Sequence, residues 1–366
     1  MKHSILHTSD SHLRVSQYGR SERGLDFQRS FLQVIDIAAR EKVAAILHAG
    51  DLLDSNRPSP AIIKFLFEVN AKLRHEKIPM FVAFGDHDKT DPHWAALLDA
   101  DRDPLAYHEG GIFALQNQLV TIPGTDLTVY GQDFIGKTKE RFLEVNADWP
   151  AASILLWHTQ VQEFCGFPVE TVVKMEELPL SKYALIALGD LHVSKYDQDP
   201  ASGCWVGYPG SGELCKSDEP LQKTVSIFEF ENGRVSHMEL KELKTRVVRV
   251  YRINTEADLT SVLNEVSTLA DQAPMIFGRY NAGIAGVLGR FYATIDPDKA
   301  IIRLLPIPES VSPETQKDRA ADIKLQDLLP EFLTPGTAIY DVGEACLRPD
   351  APVNELLTAY IDKKLA

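Results

Sequence analysis

The stretch VAAILHAGDLLD, residues 43–54, decides the reading of this chain. A continuous apolar run suits a strand covered on both faces. Gly50 then lets the backbone turn closely, so that Asp51 stands at the strand end as a carboxylate. The same design recurs outward from it. A strand candidate at 4–7 precedes Asp10-Ser11-His12, and one at 78–84 precedes Gly85-Asp86-His87-Asp88. Further along, ILLW precedes His158 and ALIAL precedes Gly189-Asp190-Leu191-His192. Between the strands, Phe27, Phe31, Val34, Ile35 and Ala38 recur at helical spacing, and Ser59-Pro60 opens a second helix. Alternating strands and amphipathic helices predict a layered α/β domain with polar residues gathered at one rim.

The spacing predicts further strands at 127–130, 205–208 and 224–230, with Asn232-Gly233 as a hairpin turn. A change of composition at KELKTRVVR, residues 241–249, marks a domain boundary. Beyond it, 247–253, 259–269, 275–280, 291–295 and 301–307 read as strand, helix, strand, strand, strand, a small α+β unit. PIPESVSPETQKD, residues 306–318, reads as a linker, and short helices are expected around 323–332 and 353–365.

The 366 residues carry a formal net charge of −14, which disfavours broad, nonspecific adhesion to nucleic acid or an anionic membrane. It leaves room for a phosphate-bearing substrate, because divalent ions reverse the local field. The four cysteines, at 165, 204, 215 and 346, show no metal-ribbon or disulfide spacing and read as incidental thiols. No apolar run approaches a bilayer span, so the expected location is cytoplasmic.

Each acid or imidazole at a strand end is ordinary alone; in series they predict a dinuclear metal centre. Asp10, His12, Asp51, Asp86, His158, Asp190 and His192 are the candidate ligands, with Asp51 as the bridge. Asp10, His12 and His192 complete one ion, and Asp86, His158 and Asp190 the other. Oxygen and imidazole donors suit Mn²⁺, Fe²⁺, Zn²⁺ or Mg²⁺.

This pattern resembles the calcineurin-like metallophosphoesterase superfamily: D-x-H, G-D-x-x-D, G-N-H-[DE], H and G-H-x-H. More narrowly, HTSDSHL, HAGDLLDSNRPSP, VAFGDHD, LLWHTQ and YPGSGE are similar to the SbcD-type nuclease subunit. The resemblance implies a four-layer sandwich with a small α+β capping domain and a C-terminal helical tail. Its divisions would be a nuclease domain over 1–240, a cap over 245–307, and a linker and partner-binding tail over 308–366. It implies a DNA exonuclease and endonuclease in which two divalent ions, Mn²⁺ first and Mg²⁺ second, activate a water against phosphodiester bonds. The partners implied are DNA, an SbcC-type coiled-coil ATPase and a second copy of the chain, with no membrane. His87 matches the family histidine that contacts the scissile phosphate.

The sequence departs from the family where Asp86 replaces asparagine and Asp190 replaces histidine. Two extra carboxylates bring the centre nearer neutrality, which should hold ions more firmly and attract phosphate less. Asp54 and Asp88 are expected to orient neighbouring groups, and Arg14, Arg20 and Arg23 to contact a DNA backbone. Lys137, Lys139 and Arg141 form a second small basic group. His3, His7, His48 and Trp157 are expected to pack. Residues 207–212 lack the order of a nucleotide-binding loop. The alternatives are a hydrolase of small phosphate esters and a scaffold with weakened catalysis.

Overall fold

A computed structural model describes residues 2–88, 104–132, 149–165, 173–269, 272–296 and 298–307. The chain divides into two units, Met1–Leu305 and Pro306–Ala366. The helices expected in the tail, the 137–141 basic group and Cys346 lie outside the described residues.

Two mixed sheets form the body. The first contains β1 (Lys2–Thr8), β2 (Ala45–Ala49), β3 (Pro79–Ala83) and β4 (Gly111–Ala114), all parallel. It is extended antiparallel by β11 (Lys223–Glu231) and β12 (Arg234–Leu243), in the order β12-β11-β1-β2-β3-β4. The second contains β5 (Gln118–Thr121), β6 (Thr128–Gln132), β7 (Ile154–His158), β8 (Leu185–Gly189), β9 (Lys195–Gln198) and β10 (Trp205–Tyr208). Its order is β5-β6-β7-β8-β10-β9, with β6, β7, β8 and β10 parallel.

Strand alternation sorts the apolar residues into layers. Ile5, Leu47 and Phe81 of the first sheet meet Val129, Ile154, Leu156 and Leu185 of the second in a shared core. Their neighbours Leu6, Ile46, Met80 and Val82 point the other way, onto α1 (Ser21–Arg40) and α2 (Pro60–Glu76). The Ser59 side chain caps α2 by accepting from the Ile62 N–H at 3.4 Å. On the outer face of the second sheet, Leu155, Trp157, Ile186 and Tyr208 pack with Phe164 of the short α3 (Gln162–Cys165). His7, His48 and Trp157 are buried.

Residues 248–306 build a three-stranded sheet of β13 (Val248–Ile253), β14 (Met275–Tyr280) and β15 (Ile301–Pro306), with α4 (Glu256–Thr268) and α5 (Leu288–Ala293). The expected strand at 291–295 is instead occupied by the end of α5. Ile284, Leu288, Phe291 and Ile295 repeat at helical spacing, and all four join one apolar cluster. A short apolar run does not distinguish strand from helix unless its neighbours are read with it.

Candidate metal centre

Loops leaving the C-terminal ends of parallel strands in both sheets carry the candidate residues, where ligand sites of open α/β sheets form. Asp10 and His12 follow β1, Asp51 follows β2, and residues 85–88 follow β3. His158 ends β7, and Asp190 and His192 follow β8. Asp10 (φ 50°), His12 (φ 41°), Asp51 (φ 53°) and Asp190 (φ 98°) all take left-handed backbone, a conformation that persists only where the surroundings enforce it. Gly85 is required by close approach, since a Cβ there would collide with the Asp51 carboxylate.

Within these loops, ligand-type atoms of Asp10, His12 and Asp51 lie within 4.8 Å of one another, as do those of Asp51, Asp86 and His158. His158 Nε2 stands 3.6 Å from both Asp51 Oδ1 and Asp86 Oδ1. His12 Nε2 lies 3.7 Å from Asp51 Oδ2, and His192 Nε2 lies 3.7 Å from Asp10 Oδ1. Asp190 is joined to the cluster by its backbone, whose N–H reaches the Asp10 carboxylate at 3.2 Å. Its own carboxylate falls outside the compact groups found among the described residues.

These donors fit divalent ions on two grounds. The buried His158 donates from Nδ1 to the Ala49 carbonyl at 2.7 Å, while its Nε2 makes no hydrogen bond among the described residues. That leaves the second nitrogen directed at two carboxylates, the arrangement of a ligating imidazole. The pocket is also short of positive charge. Burial alone would lower the His158 pKa, but Asp51, Asp86, Asp10 and Asp190 raise it to about 10. His192 behaves likewise: against burial, its contacts with Cys215, Glu219 and Asp10 push it up to about 11.

Surrounding groups hold the loops in place. Asp88 is fully buried and accepts N–H groups from Leu52 at 3.0 Å, Leu53 at 2.9 Å and Gly85 at 3.4 Å, tying the β2 loop to the β3 loop. Asp54 pairs with Arg14 at 2.5 Å, and its carbonyl accepts from His87 Nδ1 at 2.9 Å. His87 is half-exposed, with Nε2 3.9 Å from Asp51 Oδ2.

Arg14 and Arg20 retain partial exposure. Arg23 does not: it is fully buried, donating to Gln17, Asp26, Glu213 and the Leu214 carbonyl. Its expected contact with DNA is therefore withdrawn. The guanidinium is an internal anchor for residues 213–214, because a buried arginine needs this many acceptors to offset its desolvation.

Two neighbours of the cluster escaped the sequence reading. Glu219 Oε1 accepts from His192 Nδ1 at 2.6 Å, while Oε2 accepts from Lys223, Ser211 and the Cys215 N–H. Cys215, expected to be incidental, offers a sulfur within 4.8 Å of ligand atoms of His12 and His192. The YPGSGE motif marks this loop, but nothing in its spacing reveals that the residues after it turn back to the metal rim.

The family described as calcineurin-like phosphoesterase matches residues 3–199. The chain is 28% identical over 278 residues to a Thermoplasma acidophilum protein named DNA double-strand break repair protein Mre11, covering 72% of this chain and 70% of the relative. Proteins of the same name from Methanosarcina mazei and Sulfurisphaera tokodaii are each 30% identical, over 61% and 60% of this chain. The aligned regions span 35% and 56% of those relatives' lengths. No helix among the described residues is long and apolar enough to cross a membrane.

Proposed function

The chain belongs to the calcineurin-like phosphoesterase family, and from that premise we propose that it is a metal-dependent DNA exonuclease and endonuclease. In this reading it processes DNA ends with an SbcC-type coiled-coil ATPase. The observation that carries it is the position of Asp51, which belongs both to the group with Asp10 and His12 and to the group with Asp86 and His158. One carboxylate thus joins two ion-sized clusters, the layout of a phosphoryl clamp. The repair-protein names of the relatives support DNA as the substrate.

Asp10, His12, Asp51 and His192 would hold the first ion, and Asp51, Asp86, His158 and Asp190 the second. When bound, the ions supply Lewis-acid stabilisation of the phosphodiester and lower the pKa of a water. Mn²⁺ is the proposed ion, with Mg²⁺ next, because most of the donors are hard oxygens. His87 holds its Nδ1 against the Asp54 carbonyl, which turns Nε2 toward the rim, where it would meet the departing oxygen of the cleaved strand. Arg14 and Arg20 lie in the loop after His12 and would contact the strand's phosphates. A homodimer, a cytoplasmic location, and a division into nuclease domain (1–240), four-layer in build, cap (245–307) and partner-binding tail (308–366) belong to the same proposal.

The test is digestion of end-labelled linear and hairpin DNA, and of a small phosphate ester, in Mn²⁺ or Mg²⁺ with and without the cognate ATPase. The expected result is Mn²⁺-dependent DNA cleavage. Hydrolysis confined to the small ester would replace the reading with a small-molecule hydrolase, and metal binding without any hydrolysis would replace it with a scaffold.

A further inference from the structure

Cys215 sits in the loop between β10 and β11, on the first-ion side of the rim. Its sulfur and ring nitrogens of His12 and His192 are mutually within 4.8 Å, and all three residues are largely buried. The two imidazoles belong to the ligand set proposed for that ion. Their Nε2 atoms face each other at 3.1 Å, sharing a proton in the metal-free chain and converging on the point where one ion would replace it. His192 spends Nδ1 on Glu219, so Nε2 is the nitrogen it has left to offer.

The thiol is placed with care. The Cys215 N–H donates to Glu219 at 3.0 Å, and its carbonyl accepts from Gln17 Nε2 at 2.9 Å and Tyr18 Oη at 3.1 Å. Arg23 holds the preceding residues through Glu213 and Leu214. Against this backbone restraint, the sulfur makes a long hydrogen bond of 3.5 Å to the Glu213 carbonyl and otherwise meets the His192 ring. A weak bond of that kind is easily exchanged for a metal.

We propose that Cys215 is a thiolate ligand of the first ion, alongside His12 and His192. Binding breaks the S–H bond and passes the proton to solvent, while the sulfur electron pair forms the bond to the cation. The centre is then asymmetric. Its first site would add sulfur to two imidazoles and the carboxylates of Asp10 and Asp51, which shifts its preference toward Zn²⁺, Co²⁺ or Fe²⁺, whereas the second combines carboxylates with one imidazole, which favours Mn²⁺ or Mg²⁺. The chain would hold a mixed pair of ions, with the softer one retained more firmly. This inference rests on the metal-centre reading and refines its first site.

The test uses the full-length, metal-free protein titrated with one equivalent of Co²⁺. The expected product shows a sulfur-to-cobalt charge-transfer band in the near ultraviolet, lost in Cys215→Ser and kept in Cys165→Ser and Cys204→Ser. Zinc X-ray absorption on the unmutated protein gives a second readout that needs no variant: a sulfur neighbour at about 2.3 Å beside nitrogen or oxygen neighbours at about 2.0–2.2 Å. Cys215→Ser should also weaken Zn²⁺ binding at least about tenfold while changing Mn²⁺ binding at the second site little. Bound Co²⁺ without the band, a band that survives Cys215→Ser, or a zinc shell without sulfur would overturn the thiolate and leave the metal centre standing. Failure to bind any divalent ion would overturn both.

Discussion

His192 Nδ1 lies 2.6 Å from Glu219 Oε1, so a carboxylate on the loop before β11 fixes which face of an imidazole after β8 is turned to the metal rim. The same carboxylate accepts from Lys223 at 2.7 Å, and its pKa sits at about 2: against burial, His192 and Lys223 hold it ionised. Glu219→Gln should lower first-site metal affinity by about 10–100-fold, the usual effect of removing a group that orients a ligating histidine. Calorimetric titration checks this. The change also strands the buried Lys223, so the metal-free variant should lose about 3–5 kcal/mol of stability in thermal or denaturant unfolding.

His87→Ala separates chemistry from metal retention. The ring is half-exposed and bonded to the Asp54 carbonyl rather than enclosed by carboxylates. Single-turnover cleavage should fall by about 10²–10⁴-fold, the span of general-acid effects, while elemental analysis still finds both ions. Loss of the metals would move His87 into the ligand set.

Metal loading should release protons. His158 and His192, raised to about 10 and about 11, are protonated in the metal-free chain at pH 7 and must be neutral to ligate. The combined affinity for both ions should therefore climb with pH by up to about two log units per pH unit, one from each site, until pH approaches 10. Calorimetry in buffers of different ionisation enthalpy counts the protons. The sign reverses for the metal-free fold. Histidines raised above their unfolded value of about 6.5 contribute stability that is full below that pH and lost as pH rises through 10 to 11. The metal-free Tm should thus decline from neutral to alkaline pH, with the loaded protein resisting the decline.

The acids and imidazoles were legible in the sequence because each directly follows an apolar strand, so local pattern alone puts Asp10, Asp51, Asp86, His158 and Asp190 at one rim. Ser59 announced α2 for the same local reason. Glu219 and Cys215 were illegible: their roles arise only when the 210–219 loop folds back against His192, a contact between segments distant in sequence. Arg23 was misread because burial is a tertiary property. An arginine three residues after Arg20 looks equally solvent-facing until Asp26 and Glu213 are seen closing over it.

Asp86→Asn tests the charge of the second cluster. Asp86 Oδ1 is 3.6 Å from His158 Nε2, and replacing its carboxylate with the family's amide removes one negative charge beside the ion. Mg²⁺ should bind at least about tenfold more weakly, roughly 1.4 kcal/mol, yet cleavage at saturating Mn²⁺ should quicken because the phosphodiester meets less repulsion. A folded, fully loaded variant that cleaves no faster would count against the charge argument.

Anomalous diffraction from a Mn²⁺-soaked crystal would locate the ions themselves. Two neighbouring peaks about 3.5–4 Å apart are expected on either side of Asp51, one beside Asp10, His12 and His192 and the other beside Asp86 and His158. A single peak, or peaks away from Asp51, would contradict the dinuclear centre.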